Sequence, residues 1–110
     1  MALTHKPGVR LLGVHHLALH AAYVADQIWM AAGAPETVIT SGSEGTHSEG
    51  SSHYRGFAID LRTNTIATAK IKGAVAALQK ALGADYYLLL EGEGTANFHL
   101  HCEWRPQDPY

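Results

Sequence analysis

The chain has 110 residues, of which 46 % are hydrophobic and 16 % are charged, and its formal net charge is −2 at pH 7. This length predicts one domain over residues 1–110 with a single core, and the ordinary apolar fraction argues against disorder. The lack of a basic excess argues against a nucleic-acid partner, and no apolar run reaches the roughly 20 residues that span a bilayer. We therefore expect a monomer that binds neither nucleic acid nor membrane.

Three further features of the sequence narrow the class of protein. The segment from Met1 to Gly8 lacks the apolar core of a secretory signal peptide, so we expect cytoplasmic synthesis without such a signal. A single cysteine excludes an internal disulfide framework. Eight histidines are several times the ordinary share, and histidine is the commonest metal ligand, so their positions decide what they indicate.

The hydrophobic pattern predicts two helices and four strands. A first helix is predicted over residues 9–32, where apolar residues recur at spacings of three and four before Gly33 and Pro35. Residues 41–56 are rich in glycine and serine and predict a loop. The other predicted elements are strands at 37–40 and 57–62, a helix at 68–82, and strands at 86–91 and 98–104. This order predicts an α+β fold, a small antiparallel sheet with both helices packed on one face.

The alternation of side chains along the strands separates a polar face of the sheet from the core face. Two strands place Asp60, His99 and His101 away from the core, and Glu91 closes the first strand of the hairpin predicted from residues 86–91 and 98–104. His53 lies seven residues before Asp60, in the predicted loop. Two imidazoles and one carboxylate, with a fourth position open to water, are the composition of a catalytic zinc site, with Glu91 as its general base. By contrast, Cys102 is expected in the core, and the histidines of the first helix at its surface or boundary: His15, His16 and His20.

Two motifs in the chain resemble those of a known family. Residues 51–60 read SSHYRGFAID and fit the pattern S-x-H-x-x-G-x-A-x-D, and residues 99–101 supply a later H-x-H. In this order they resemble the zinc D-Ala-D-Ala carboxypeptidases and L-alanyl-D-glutamate endopeptidases of peptidoglycan, whose fold is shared with the Hedgehog signalling domain. The resemblance covers residues 47–104, about half of the chain.

The resemblance implies one zinc ion held by His53, Asp60 and His101. Two further residues are candidates for binding substrate. Ser51 either hydrogen-bonds within the loop or reaches the substrate. Arg62 lies on the face of Asp60 and is either a solvated charge or a partner for a peptide carboxylate, which a guanidinium binds in a bidentate manner.

The resemblance also implies the catalytic groups. Glu91 matches the position of the general base at the end of the preceding strand, and His99 matches a histidine that stabilises the transition state, a structural role being the alternative. The gap between Glu91 and His99 is longer than in many relatives, which leaves Glu93 as an alternative base. Glu91 is favoured because it closes a strand, whereas Glu93 lies between glycines.

The function implied is a zinc metallopeptidase that hydrolyses a bond in peptidoglycan stem peptides, of either the carboxypeptidase or the endopeptidase type. A compact chain without an export signal resembles a phage endolysin acting on the cell wall or in the periplasm, and a bacterial origin is equally compatible. One alternative is a non-catalytic zinc-binding module of the same fold that binds cell-wall fragments or a protein partner. Another is a phage structural component that carries the domain.

Overall fold

The computed structural model describes residues 2–44 and 56–106. It shows a mixed five-stranded sheet and two α-helices, which confirms the predicted α+β class. The elements in chain order are β1 (Leu3–His5), α1 (His16–Ala31), β2 (Thr37–Ser41), β3 (Ala58–Arg62), a short 3-10 helix (Thr68–Lys70), α2 (Ile71–Leu82), β4 (Tyr86–Glu91) and β5 (His99–Trp104). The predicted site residues Ser51 and His53 lie outside the described residues.

The strands are arranged in the order β1-β2-β3-β5-β4. The pairs β2–β3, β3–β5 and β4–β5 are antiparallel, as predicted, but β1 adds a parallel strand at the edge beside β2. The sequence pattern missed β1 because three residues are too few to show alternation. The strand is held by a distant contact instead: the backbone N–H of Ala2 donates to the Asp26 carboxylate, at 3.2 and 3.3 Å.

Helix α1 begins at His16, seven residues after the predicted start. Gly13 has φ +86°, a left-handed conformation that a helix cannot continue through, and the backbone of His15 is extended. The Nδ1 atom of His15 accepts a hydrogen bond from the Leu17 N–H at 3.1 Å and caps the helix. The same ring stacks on Trp104, with the centroids 4.5 Å apart. His15 is therefore partly buried, at the boundary as expected, and it also has a structural role as the cap of α1.

The buried side of α1 is made mostly of alanines, which let the helix lie close to the sheet. Larger apolar residues of the same helix, such as Val24 and Ile28, are only partly buried. Trp29 fills the space at the end of the helix, and its indole N–H donates to the Arg62 carbonyl at 3.2 Å. The fully covered residues on this side of α1 are Ala18, Ala21, Ala22, Ala25, Asp26 and Trp29.

The sheet has one face against the helices and one face open. Ile59, Leu61, Leu100 and Cys102 are buried in the core, as the alternation predicted. The residues between them point to the opposite face, which neither α1 nor α2 covers, and these are the polar residues that the sequence analysis singled out. Neither α1 nor α2, nor any other helix within residues 2–44 and 56–106, has the length and apolar character needed to cross a membrane.

Two alanine substitutions in the helices are expected to differ strongly in their effect on the free energy of unfolding. Leu78 is fully buried in α2, so Leu78→Ala is expected to lower the free energy of unfolding by about 2–5 kcal/mol through lost burial and the cavity left behind. Met30 in α1 is 44 % exposed, and Met30→Ala is expected to change it by less than about 1 kcal/mol. Urea unfolding of both variants measures the difference, and equal effects would contradict this description of the core.

Candidate metal centre

The register of three strands brings the polar side chains together. Asp60 is directly opposite His101 in the β3–β5 pair, and the next pair on the same face is Arg62 and His99. On the other side of β5, His99 is opposite Glu91, the last residue of β4. Directly opposed residues point to the same face with Cβ atoms about 4.5–5.5 Å apart. The pairing therefore places all five side chains in one patch of the open sheet face.

Three of these residues offer a ligand set for a metal ion. Ligand atoms of Asp60, Glu91 and His101 lie within 4.8 Å of one another, and the Asp60 Oδ1 and His101 Nδ1 atoms are 3.1 Å apart. The side chains of Asp60 and His101 are 12 % and 13 % exposed, whereas that of Glu91 is 45 % exposed. The cluster thus consists of a sheltered Asp–His pair at the centre of the sheet and a carboxylate at its edge that water can reach.

Glu103 was not singled out from the sequence but belongs to the same cluster. Its Oε1 atom is 3.2 Å from His101 Nε2, so both ring nitrogens of His101 face carboxylates. The Arg105 Nε donates to Glu103 Oε2 at 2.7 Å, and the Arg105 guanidinium lies 4.3 Å from the ring centre of Tyr87. A histidine that binds a metal through one nitrogen commonly donates its other N–H to a carboxylate, which fixes the ring. Glu103 is placed to do this for His101.

The charge state of His101 follows from its two neighbours. Burial alone would lower the pKa of the imidazole, but the hydrogen bonds and negative charges of Asp60 and Glu103 outweigh burial and raise this pKa above its usual value. In the metal-free protein, the two carboxylates therefore favour the protonated form of His101.

His99 is fixed from both sides of its ring. Its Nδ1 atom is 2.7 Å from the Asn97 carbonyl oxygen, which can only accept, so Nδ1 carries a hydrogen. Its Nε2 atom faces Glu91 Oε1 at 3.3 Å and Asp60 Oδ2 at 3.7 Å. The Glu91 carboxylate therefore lies within hydrogen-bond distance of His99, next to the candidate metal ligands Asp60 and His101.

The structure separates the two candidates for a general base. Glu91 contacts His99 and belongs to the ligand cluster. Glu93 is exposed in the turn after β4 and lines a different cavity, beside Ile66 and Lys72. Arg62 lies on the site face and lines a cavity together with Asp60 and His99. The structure therefore brings together four of the predicted catalytic and metal-binding residues: Asp60, Glu91, His99 and His101.

Cys102 lies between two site residues on β5 but points to the other face of the sheet. It is almost fully buried, and burial together with the charge of Asp60 raises the pKa of its thiol. A thiol in this state is neither a nucleophile nor a metal ligand at neutral pH. The structural role expected for Cys102 is thus consistent with its surroundings.

The chain on either side of residues 45–55 is fixed to the segment before α1. On the early side, the Glu44 carboxylate accepts from the backbone N–H of Arg10 at 2.7 Å and of Gly42 at 2.8 Å. On the late side, the Gly56 carbonyl accepts from the His15 N–H at 2.7 Å, and a Cβ at Gly56 would overlap the carbonyl oxygen of Gly13. Both attachment points of this predicted ligand-bearing loop are therefore held in place.

The comparisons with known proteins identify no relative. No family model matches the chain, and no curated protein or solved structure matches it.

The contact between Glu103 and His101 predicts an effect on metal binding. Glu103→Gln removes the charge that orients the imidazole, and we expect it to weaken zinc binding by about 10–100-fold. The matched control Glu93→Gln removes the same charge from an exposed turn and should leave zinc affinity unchanged. Competition with a chromogenic chelator measures both affinities, and equal affinity of Glu103→Gln and the parent chain would show that Glu103 does not support His101.

The raised pKa of His101 predicts how stability depends on pH without metal. A group whose pKa is higher in the folded state stabilises that state fully below its unfolded pKa, about 6.5, and loses this contribution as pH rises through the folded value. Unfolding in urea and chelator should show this decline above about pH 6.5. The decline should shrink in His101→Gln and persist in the control His20→Gln, whose side chain is exposed. An undiminished decline in His101→Gln would contradict the assignment.

Proposed function

We propose that the protein is a zinc-dependent peptidase that hydrolyses a bond in peptidoglycan stem peptides. The observation that carries the proposal is the meeting of Asp60 and His101 on the open sheet face, with Glu91 and His99 beside them. The substrate class rests on the resemblance of residues 51–60 and 99–101 to the peptidoglycan peptidases, described above.

The donor atoms suit a zinc ion. Zinc takes imidazole nitrogen and carboxylate oxygen at about 2.0–2.2 Å, so two ligands at tetrahedral positions stand about 3.3 Å apart. The 3.1 Å between His101 Nδ1 and Asp60 Oδ1 is close to this spacing. Binding through Nδ1 leaves Nε2–H to donate to Glu103, so the ring does not have to turn.

Two versions of the zinc site differ in which residue is the third protein ligand. In the version we propose, His53 is the third ligand, as the motif implies, and Glu91 is the base; His53 lies outside the described residues. In the other version Glu91 itself is the third ligand, since its carboxylate is part of the cluster. We favour the first because Glu91 is much more exposed than Asp60 and His101, and a general base must reach a water molecule.

The proposed reaction is hydrolysis of a peptide bond. Bound zinc would polarise the scissile carbonyl and acidify the attacking water. Glu91 accepts a proton from that water as its oxygen bonds to the carbonyl carbon, and donates it to the amine nitrogen as the C–N bond breaks. His99, held at Nδ1 by the Asn97 carbonyl, donates in its doubly protonated form a hydrogen bond from Nε2 to the oxygen that becomes negative in the transition state.

The Glu91→Gln variant tests the assigned base. It keeps the size and polarity of the side chain but cannot accept a proton, so we expect about one zinc per chain and a loss of about 10²–10⁴-fold in kcat. Zinc content by elemental analysis and mass spectrometry of digested muropeptides, with and without chelator, measure the two effects. Glu93→Gln is the control and should retain full activity.

Other results of these measurements would favour one of the alternative assignments. Loss of zinc from Glu91→Gln would make Glu91 a ligand, and loss of activity in Glu93→Gln would make Glu93 the base. A parent chain that binds zinc tightly but cleaves no muropeptide would favour the non-catalytic module of the same fold, in which the metal stabilises the protein.

A further inference from the structure

A polar cavity of about 370 Å³ adjoins the candidate metal-binding residues Asp60, Glu91 and His101, on the side away from β4. Asp60 and His99 form its boundary with the cluster, and two cationic residues, Lys6 and Arg62, line it as well. Its volume is at the lower end of the roughly 300–1,000 Å³ typical of small-molecule sites. The cavity is therefore large enough for a short chain end beside the reacting bond.

The charges in this cavity favour an anion. Among the described residues that line it, Asp60 carries the only carboxylate, and this group faces His101 and His99. Within residues 2–44 and 56–106, no carboxylate forms a salt bridge with Lys6 or Arg62. A divalent ion at the cluster would make the cavity still more positive. A ligand that neutralises both cations would thus bring negative charge next to the site of reaction.

The backbones that carry these cations are held in fixed positions. The Arg62 carbonyl accepts from the buried Trp29 indole at 3.2 Å, and Arg62 is opposite His99 in the β3–β5 register. The Lys6 N–H donates to the Ile39 carbonyl at 2.9 Å, which ties the end of β1 to β2. Both cations therefore project from anchored backbone at the cavity, a condition for recognition at a defined place.

We propose that Arg62 and Lys6 bind a carboxylate of the substrate, at a position within about one residue of the scissile bond. The guanidinium of Arg62 presents a planar pair of donors that matches a carboxylate, and Lys6 adds a point charge. This inference rests on the proposed peptidase function and adds the substrate feature that the enzyme selects. The carboxylate has two possible sources, the free C-terminus of a peptide or an acidic residue next to the cleaved bond.

Matched substrates and variants test the proposal. The substrates are a short stem peptide with a free C-terminus, the same peptide with a C-terminal amide, and a third in which the acidic residue beside the cleaved bond is replaced by its amide. For the substrate whose carboxylate is recognised, we expect Arg62→Gln to raise KM about tenfold or more while kcat changes less than about threefold. Lys6→Gln should act in the same direction and more weakly.

The amide substrates identify the source of the carboxylate. A C-terminal amide that is cleaved poorly, and equally poorly by Arg62→Gln, would show that the enzyme selects a free C-terminus. The same result for the side-chain amide would show that it selects the acidic residue. The exposed Lys80 on α2 provides the charge control, and Lys80→Gln should leave KM unchanged. An equal effect of Arg62→Gln on carboxylate and amide substrates would overturn the proposal.

A binding measurement separates this proposal from the peptidase function. NMR titration of the zinc-loaded protein with N-acetyl-D-alanine and with its amide should show binding of the acid alone, weakened in the double variant Lys6→Gln, Arg62→Gln. If the protein gives this result but hydrolyses no peptide, the proposed carboxylate site is supported and the proposed peptidase function is contradicted. Acid binding of equal strength in the double variant would show that the metal alone holds the carboxylate and would overturn the proposal.

Discussion

The pairing of β3 with β5 is the constraint on which the candidate site depends. It places Asp60 opposite His101, and the same register sets Leu61 against Leu100 on the other face. A shift by one residue would turn the apolar residues of one strand to solvent and its polar residues into the core. Because both leucines are fully buried, the hydrophobic effect that stabilises the core also fixes the register that assembles the polar face.

The polar face could be predicted from the sequence because it depends on a local rule. Side chains on a strand alternate between faces, so Asp60, His99 and His101 were assigned to one face without knowledge of the partner strands. Parts of the fold that depend on distant contacts could not be predicted in this way. The strand β1 is held through Ala2 by a carboxylate 24 residues away, and the true start of α1 depends on His15 stacking against a residue of β5.

Within the site, too, features that follow from local alternation could be predicted and features that depend on distant contacts could not. Glu103 continues the alternation of the two histidines, so its face could have been inferred from the sequence. Its role depends on His101 having one nitrogen toward Asp60 and the other toward Glu103, which is a fact of geometry. Lys6 was beyond prediction for a different reason. It reaches the cavity only because β1, which has no sequence signature, pairs with β2 beside it.

The contacts of His101 also bear on what a metal would contribute to folding. A nearly buried carboxylate such as Asp60 is costly unless a positive group compensates it. Without metal, Asp60 and Glu103 raise the pKa of His101 and so favour its protonated form; a bound ion would supply positive charge at this place instead, and its binding would release that proton. The core, which includes the α1 alanines and Trp29, lies on the other face of the sheet. Metal binding therefore exchanges one compensating charge for another, and its effect on stability is the difference between two compensated states.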